Sequence, residues 1–253
     1  MTIAMITGAN KGVGFATARG LAQKGVTVWM GARNIVRGAA AEAQLRAEGL
    51  DVRLLEIDVT DSASIARSVD RIVADGRGLD ILVNNAGIMP ETFNEGAERC
   101  KPSEVDSDML HRVFGTNFFG AIEVIRQFLP LLRRSPVPRI VNVSSRLGSM
   151  ALQTDADWPG RGVNQLGYSS SKAALNMATV IFAYELRDTA IKVNAVSPGI
   201  VATDLNGAGA DRLIGRPGYG SPEDGAVLVV ACATMPDDGP TGAFFGPGGL
   251  IGW

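Results

Sequence analysis

The chain has 253 residues, room for one large or two small domains, and its 46% hydrophobic and 20% charged content excludes a predominantly disordered chain. Acids exceed bases by only two and no long block of like charge occurs, which argues against a non-specific nucleic-acid binder. No apolar run approaches the roughly 18 residues of a membrane-spanning helix, so neither nucleic acid nor membrane is expected as a partner.

Residues 2–6 are an apolar run that reads as the first strand. Because it begins at once, no room is left for a secretory leader, and the expected compartment is the cytoplasm. A glycine turn follows, then a helix over 12–24 that ends at Gly25. Val26 to Met30 is the second strand. Asn34 caps a helix to about Glu48, with Gly49 as its stop. Val52 to Ile57 is the third strand, and Asp61 caps a helix that ends near Gly76. Ile81 to Val83 is the fourth strand, apolar on both faces. A loop of mixed composition covers about 88–104. One long helix is expected over about 106–134, with Pro130 as the site of a kink. Arg139 to Val143 is the fifth strand, a helix covers about 166–187, and Ile191 to Val196 is the sixth strand. Gly199 opens a glycine-rich stretch. Ser221, Pro222 and Asp224 supply a cap, a first-turn proline and an acid three residues in, so a helix starts there. A last apolar patch sits at Ala243-Phe244-Phe245.

Alternation of strands and helices predicts parallel strands joined by crossover helices. Continuous apolar runs predict strands covered on both faces. No linker, repeat or composition break divides the chain. The reading is therefore one α/β domain over 1–253: a single doubly wound, Rossmann-type parallel sheet with helices on both faces. In such sheets ligands bind beyond the carboxyl ends of the strands, so the residues just after each strand carry the function. Cys100 and Cys232 read as two free thiols. His111 is the only histidine, which leaves nothing from which to build a His-based metal site or a Ser-His-Asp triad; no metal is expected.

After the first strand stands Thr7-Gly8-Ala9-Asn10-Lys11-Gly12-Val13-Gly14. Gly8 permits a tight turn, while Gly12 and Gly14 let a pyrophosphate approach the backbone and the helix pack closely on the strand. The helix N-terminus adds free N–H groups and positive potential. The spacing is G-x-x-x-G-x-G rather than G-x-G-x-x-G. Residues 1–41 carry five bases and no acid, whereas the whole chain is at −2. At the end of the second strand an acid would accept from a ribose 2′-hydroxyl, and an arginine would bind a 2′-phosphate. Arg33 stands there and Lys11 offers a second cation, so the cofactor reads as NADP(H) rather than NAD(H).

Tyr168 and Lys172 lie at i and i+4 on one helix face. An adjacent ammonium favours phenolate and is expected to lower the tyrosine pKa toward neutrality, giving a proton donor for an alkoxide forming on a ketone. The fifth strand runs into Ser144-Ser145, where a hydroxyl could hold a carbonyl oxygen. The fourth runs into Asn84-Asn85-Ala86-Gly87.

With these motifs in this order, and with Asp58-Val59 after the third strand, Asn117 in Thr116-Asn117-Phe118-Phe119-Gly120, and Ser197-Pro198-Gly199 leading to Thr203, the chain resembles the short-chain dehydrogenase/reductase family over essentially its whole length. The Asn-Lys-Gly turn looks most like the carbonyl reductase branch. The resemblance implies that Tyr168 is the general acid in reduction and the base in oxidation. It implies that Lys172 lowers the tyrosine pKa and holds the nicotinamide ribose, that Ser145 rather than Ser144 orients the carbonyl, and that Asn117 holds a water linking Lys172 to solvent. It assigns adenine contacts to Asp58 and Val59, and the adjacent ribose side to Asn85, Ala86 and Gly87. The nicotinamide goes to the stretch from Pro198 through Gly199 and Val201 to Thr203. Residue-level alternatives stay open: Asn117 could simply bond backbone within a kinked helix, and Asp58 could cap a turn.

The 22 residues between Ser145 and Tyr168 exceed the family's usual spacing. They include Asp155, Asp157, Trp158, Pro159 and Gly160 and are expected to line one wall of the substrate cleft, together with 88–104 and 200–220, the last as a mobile lid. Relatives with long insertions here can be monomers, which counts against the family tetramer. The apolar stretch Phe244 to Trp253 has two readings: it folds back on its own last strand, or it packs against a second copy in a homodimer. The expected activity is NADPH-dependent reduction of a small-molecule ketone or aldehyde to an alcohol, reversibly. The alternatives are an alcohol dehydrogenase working mainly in the oxidative direction and a non-catalytic NADP(H)-sensing protein.

Overall fold

The fold is that of a computed structural model, which describes residues 2–90, 101–163, 165–206 and 210–253. Cys100 lies outside the described residues, as does most of the loop expected before the long helix. One sheet of eight strands organises the chain, in the order β3-β2-β1-β4-β5-β6-β7-β8. The strands are β1 (Ile3–Ile6), β2 (Thr27–Ala32), β3 (Val52–Glu56), β4 (Ile81–Asn84), β5 (Arg139–Val143), β6 (Lys192–Val196), β7 (Phe244–Gly246) and β8 (Gly249–Leu250). The first seven pair in parallel. Chain order reverses between β1 and β4, which opens a crevice at their carboxyl ends.

The helices are α1 (Gly12–Gln23), α2 (Ile35–Ala47), α3 (Ser62–Asp75), α4 (Ser107–Phe114), α5 (Ala121–Leu132), α6 (Met150–Thr154), α7 (Leu166–Glu185), α8 (Ala210–Leu213) and α9 (Pro222–Ala233). Alternate strand residues feed two cores, because successive side chains point to opposite faces. Ala4, Ile6, Val28 and Met30 pack with Leu21 of α1, Leu45 of α2 and Val229 of α9. Ile3, Met5 and Trp29 pack with Ile65 of α3 and Phe128 of α5. Caps fall where the sequence puts them: Asn34 accepts from Arg37, Asp61 from Ala63, and Ser221 exchanges bonds with Asp224 in a capping box. Cys232 is a free thiol in the first core, and burial pushes its pKa up to about 12.

Three expectations are corrected. The long helix runs unbroken from Ser107 to Leu132 but is not all α: a π-helical turn, Gly115–Gly120, joins α4 to α5, and Pro130 sits inside α5 without ending it. The widened turn faces Asn117 inward, where its amide bonds both N–H and C=O of Ile88. The sheet is not wholly parallel either. Pro247 and Gly248 reverse the chain, so β8 runs antiparallel to β7, with Phe245 opposite Leu250. Finally, residues 149–151 of the stretch between Ser145 and Tyr168 pack on the last residues of the chain, and among the described residues none of 146–166 lines the cleft. Ala151 N–H donates to Trp253 O at 2.9 Å and Ser149 Oγ to Gly252 O at 2.5 Å. The Trp253 ring stacks on Phe244 with centroids 5.4 Å apart. The apolar end thus folds back on its own chain, with Leu250 left exposed.

Candidate active site

The carboxyl ends of the central strands open into a cleft of about 680 Å³. Its floor is the glycine turn between β1 and α1. Gly12 has φ +57°, and a Cβ there would come within 3.3 Å of Thr203 Cγ2. A Cβ on Gly14 would lie 2.3 Å from Asn85 Nδ2, so the start of α1 can sit this low only on a glycine. Asn10, Lys11, Val13 and Gly8 complete the floor. Lys11 occupies the N-cap position without capping through its side chain, and the first turn of α1 holds no acid. The positive end of the helix therefore faces the cleft uncompensated, a cradle suited to a phosphate.

Behind this floor, Thr7 is a brace and not part of the wall. Its Oγ1 accepts from the N–H groups of Asn85 and Ala86, both at 3.0 Å, and the Asn85 amide donates to the carbonyls of Thr7 and Gly8. Asn85, Ala86 and Gly87 line the cleft after β4, with Gly87 closest to Lys172.

The end of the cleft beyond β2 and β3 holds Arg33, Asp58 and Val59. Arg33 is exposed and lies 3.8 Å from Asp58. Burial pushes the Asp58 carboxyl up, but hydrogen bonds from Thr60 and the Arg33 charge outweigh it and hold the group below the ordinary range. Asp58 caps the turn through Thr60 while still facing the cleft, so both roles read for it coexist. Arg37 of α2 and Arg112 of α4 also line the cleft. Sequence reading left both out as site residues; Arg37 was visible as one turn beyond Arg33, whereas nothing local marks Arg112. Lys11 crosses the mouth to Asp204, Nζ to Oδ2 at 3.2 Å, and ties the glycine turn to the segment carrying Pro198, Gly199, Val201 and Thr203, all on the opposite wall.

Ser145, Tyr168 and Lys172 converge at the other end. Ser144 and Ser145 both line the cleft, but the Ser144 hydroxyl is committed to a buried bond with Asn176. The Tyr168 hydroxyl is hydrogen-bonded with Ser145. Here the structure departs from the expected tyrosine. Burial pushes the phenol up to about 12, with the Ser145 bond pulling the other way, and burial pushes the Lys172 ammonium down to about 8. Lys172 Nζ donates to Val143 O at 2.8 Å and stands 5.7 Å from the ring centre, and burial outweighs whatever lowers the phenol. Asn117 does not line the cleft: it is buried, and its amide bonds the backbone of Ile88 and the Ser171 hydroxyl. Residues 146–166 contribute nothing to the wall among the described residues; Ile88, Met89, Pro90 and Leu205 do.

A family model described as short chain dehydrogenase matches residues 2–212. Carbonyl reductase (NADPH) 1 of Sus scrofa is 32% identical, the match covering 99% of this chain and 94% of that protein. The structure of salutaridine reductase from Papaver somniferum superposes with a TM-score of 0.79 at 29% identity, over 96% of this chain and 99% of that one. The fold alone is matched by NADPH-bound carbonyl reductase from chicken fatty liver, TM-score 0.83 at 24% identity, over the whole of both chains.

Proposed function

The chain belongs to the short-chain dehydrogenase family, and on that premise we propose that it is an NADP(H)-dependent carbonyl reductase that converts a ketone or aldehyde to the alcohol. The observation that carries this is the convergence of Ser145, Tyr168 and Lys172 at one end of a cleft whose other end offers a helix N-terminus and Arg33. Reduced nicotinamide supplies the hydride when bound. The glycine turn and the open end of α1 hold its pyrophosphate, while Arg33 and Lys11 take the 2′-phosphate.

Ser145 holds the substrate carbonyl oxygen, and Tyr168 gives its phenolic proton to the oxygen as negative charge develops there. A phenol pushed up to about 12 keeps its proton at neutral pH, the form a general acid needs in the reductive direction. In this reading Lys172 would hold a ribose hydroxyl of the bound cofactor, and its ammonium would favour the phenolate left after transfer. Asn117, with its side chain committed to Ile88 and Ser171, acts by fixing the turn that supports Gly87 and α7.

One domain carries both cofactor and substrate sites in this reading, and the assembly is a homodimer using exposed Val227 of α9 and Leu250 of β8. The test is NADPH consumption against a panel of ketones, aldehydes and quinones. Turnover of at least one class, abolished in Tyr168→Phe, is expected. Tight NADPH binding with no turnover of any carbonyl and no oxidation of alcohols would leave a cofactor-binding protein in its place.

A further inference from the structure

Tyr168, Lys172 and Asn176 follow one another at four-residue spacing, so all three share a face of α7. The first two reach the cleft; Asn176 does not line it and is 3% exposed. Both polar atoms of its amide are nevertheless engaged on the segment that carries Ser145. Ser144 Oγ donates to Asn176 Oδ1 at 2.6 Å, and Asn176 Nδ2 donates to Gly148 O at 3.1 Å. One side chain thus grips the loop on both sides of Ser145.

The loop is also in direct contact with the helix. A Cβ on Gly148 would lie 2.6 Å from the Lys172 carbonyl carbon and 2.7 Å from Ala173 N. Ser144 Oγ has a second, longer contact with Lys172 O at 3.4 Å. On its far side the loop is held by Ser197, whose Oγ accepts from Arg146 N–H at 3.1 Å. Ser145 Oγ itself accepts only a local bond, from Leu147 N–H at 3.2 Å, besides its bond with Tyr168. Its distance to the phenol is therefore set by how the loop is clamped, not by contacts of its own.

A buried amide is costly unless each polar atom finds a partner, and an apolar side chain would fill the same volume without that cost. The partners Asn176 does find both belong to one five-residue loop. We propose that Asn176 is a positioning residue: it fixes the register between the Ser144–Gly148 loop and the Tyr168–Lys172 face of α7, and so sets the Ser145–Tyr168 hydrogen bond. This rests on the reductase reading of the site.

The experiment compares Asn176→Leu, Asn176→Asp and Gly148→Ala with Tyr168→Phe. The Asp variant keeps the acceptor for Ser144 and loses the donor to Gly148. The Gly148→Ala variant pushes the same joint from the loop side and carries the test if Asn176→Leu does not fold. Expected is a fall in kcat of about 10- to 100-fold, the cost of misplacing a reacting group by a fraction of an ångström to one ångström. The loss is smaller in Asn176→Asp, and the KM for NADPH stays within about twofold. The pH profile of kcat should also shift, because the phenol's environment changes with its bond to Ser145. Folded variants with lowered thermal midpoints but unchanged kcat and pH profile would reduce Asn176 to a packing role. If Tyr168→Phe itself turns over normally, the reductase mechanism fails first, and the two failures are told apart.

Discussion

The Lys172 ammonium stands 5.7 Å from the centre of the Tyr168 ring and spends its hydrogen bond on the Val143 carbonyl at 2.8 Å. Both groups are taken out of water, and the effects on stability have opposite signs. Lys172 goes from 10.5 to about 8 on folding, so between these values the unfolded chain holds the extra proton and stability rises with pH. Tyr168 goes from 10.0 to about 12, so in that window the folded chain holds the extra proton and stability falls. Cys232, raised from 9.0 to about 12, opposes Lys172 above pH 9, so the protein without cofactor should gain stability from about pH 8 to about pH 9 and lose it above about pH 10. Urea midpoints measured across that range, for wild type and Lys172→Met, check this. The rise should vanish in the variant; its persistence would place its origin elsewhere.

Tyr168→Phe removes the proton donor and the bond to Ser145 while leaving the ring in its buried seat. The rate should fall by at least about 100-fold, the lower scale of acid–base catalysis, with NADPH affinity retained. Steady-state kinetics paired with a fluorescence titration of NADPH separate the two, and near wild-type turnover would sink the mechanism.

Arg33→Asp exchanges a phosphate partner for a ribose-hydroxyl acceptor and sets a second carboxylate beside Asp58, which lies 3.8 Å from the guanidinium. The preference for NADPH over NADH in kcat/KM should drop about tenfold or more, the scale of one charge-assisted hydrogen bond. Unchanged kinetics with NADPH would mean that Arg33 does not touch the 2′-phosphate.

Asp204→Asn frees Lys11 from its bridge at 3.2 Å. Both side chains are about half exposed, so the pair contributes at most about 1 kcal/mol and the thermal midpoint should hardly move. NADPH should bind more tightly to the variant at low salt, because Lys11 no longer divides its charge between a carboxylate and a phosphate. The gain should shrink as salt screens the rim. Weaker binding at low salt would show that the bridge closes the cleft over the cofactor.

What the sequence discloses is what local chemistry decides. Asn34, Asp61 and Ser221 cap helices because their side chains reach N–H groups two or three residues on, and no distant partner is needed. Tyr168 and Lys172 share a face by helical spacing alone. The residues after β1, β2, β4 and β6 meet in one cleft because parallel strands end on the same side. What stayed hidden depends on distant contacts. The π turn exists to seat Asn117 against Ile88, across 29 positions, and leaves no periodic trace. The Gly248-Gly249 pair reads as loop until Phe245 offers an edge to pair with. The high phenol pKa follows from the depth of burial around Tyr168, which i,i+4 spacing does not encode.

The π turn also changes what an insertion or deletion can do to this protein. A π turn is an α-helix that has absorbed one extra residue, so the flanking helices keep their faces while the bulge carries the surplus. Losing one residue between 115 and 120 would close the bulge into ordinary helix and leave Phe128 in its core, yet swing Asn117 by about 100° away from Ile88. A one-residue deletion in a helix, usually ruinous to folding, would here leave the flanking helix faces in place and unseat only the residues of the turn.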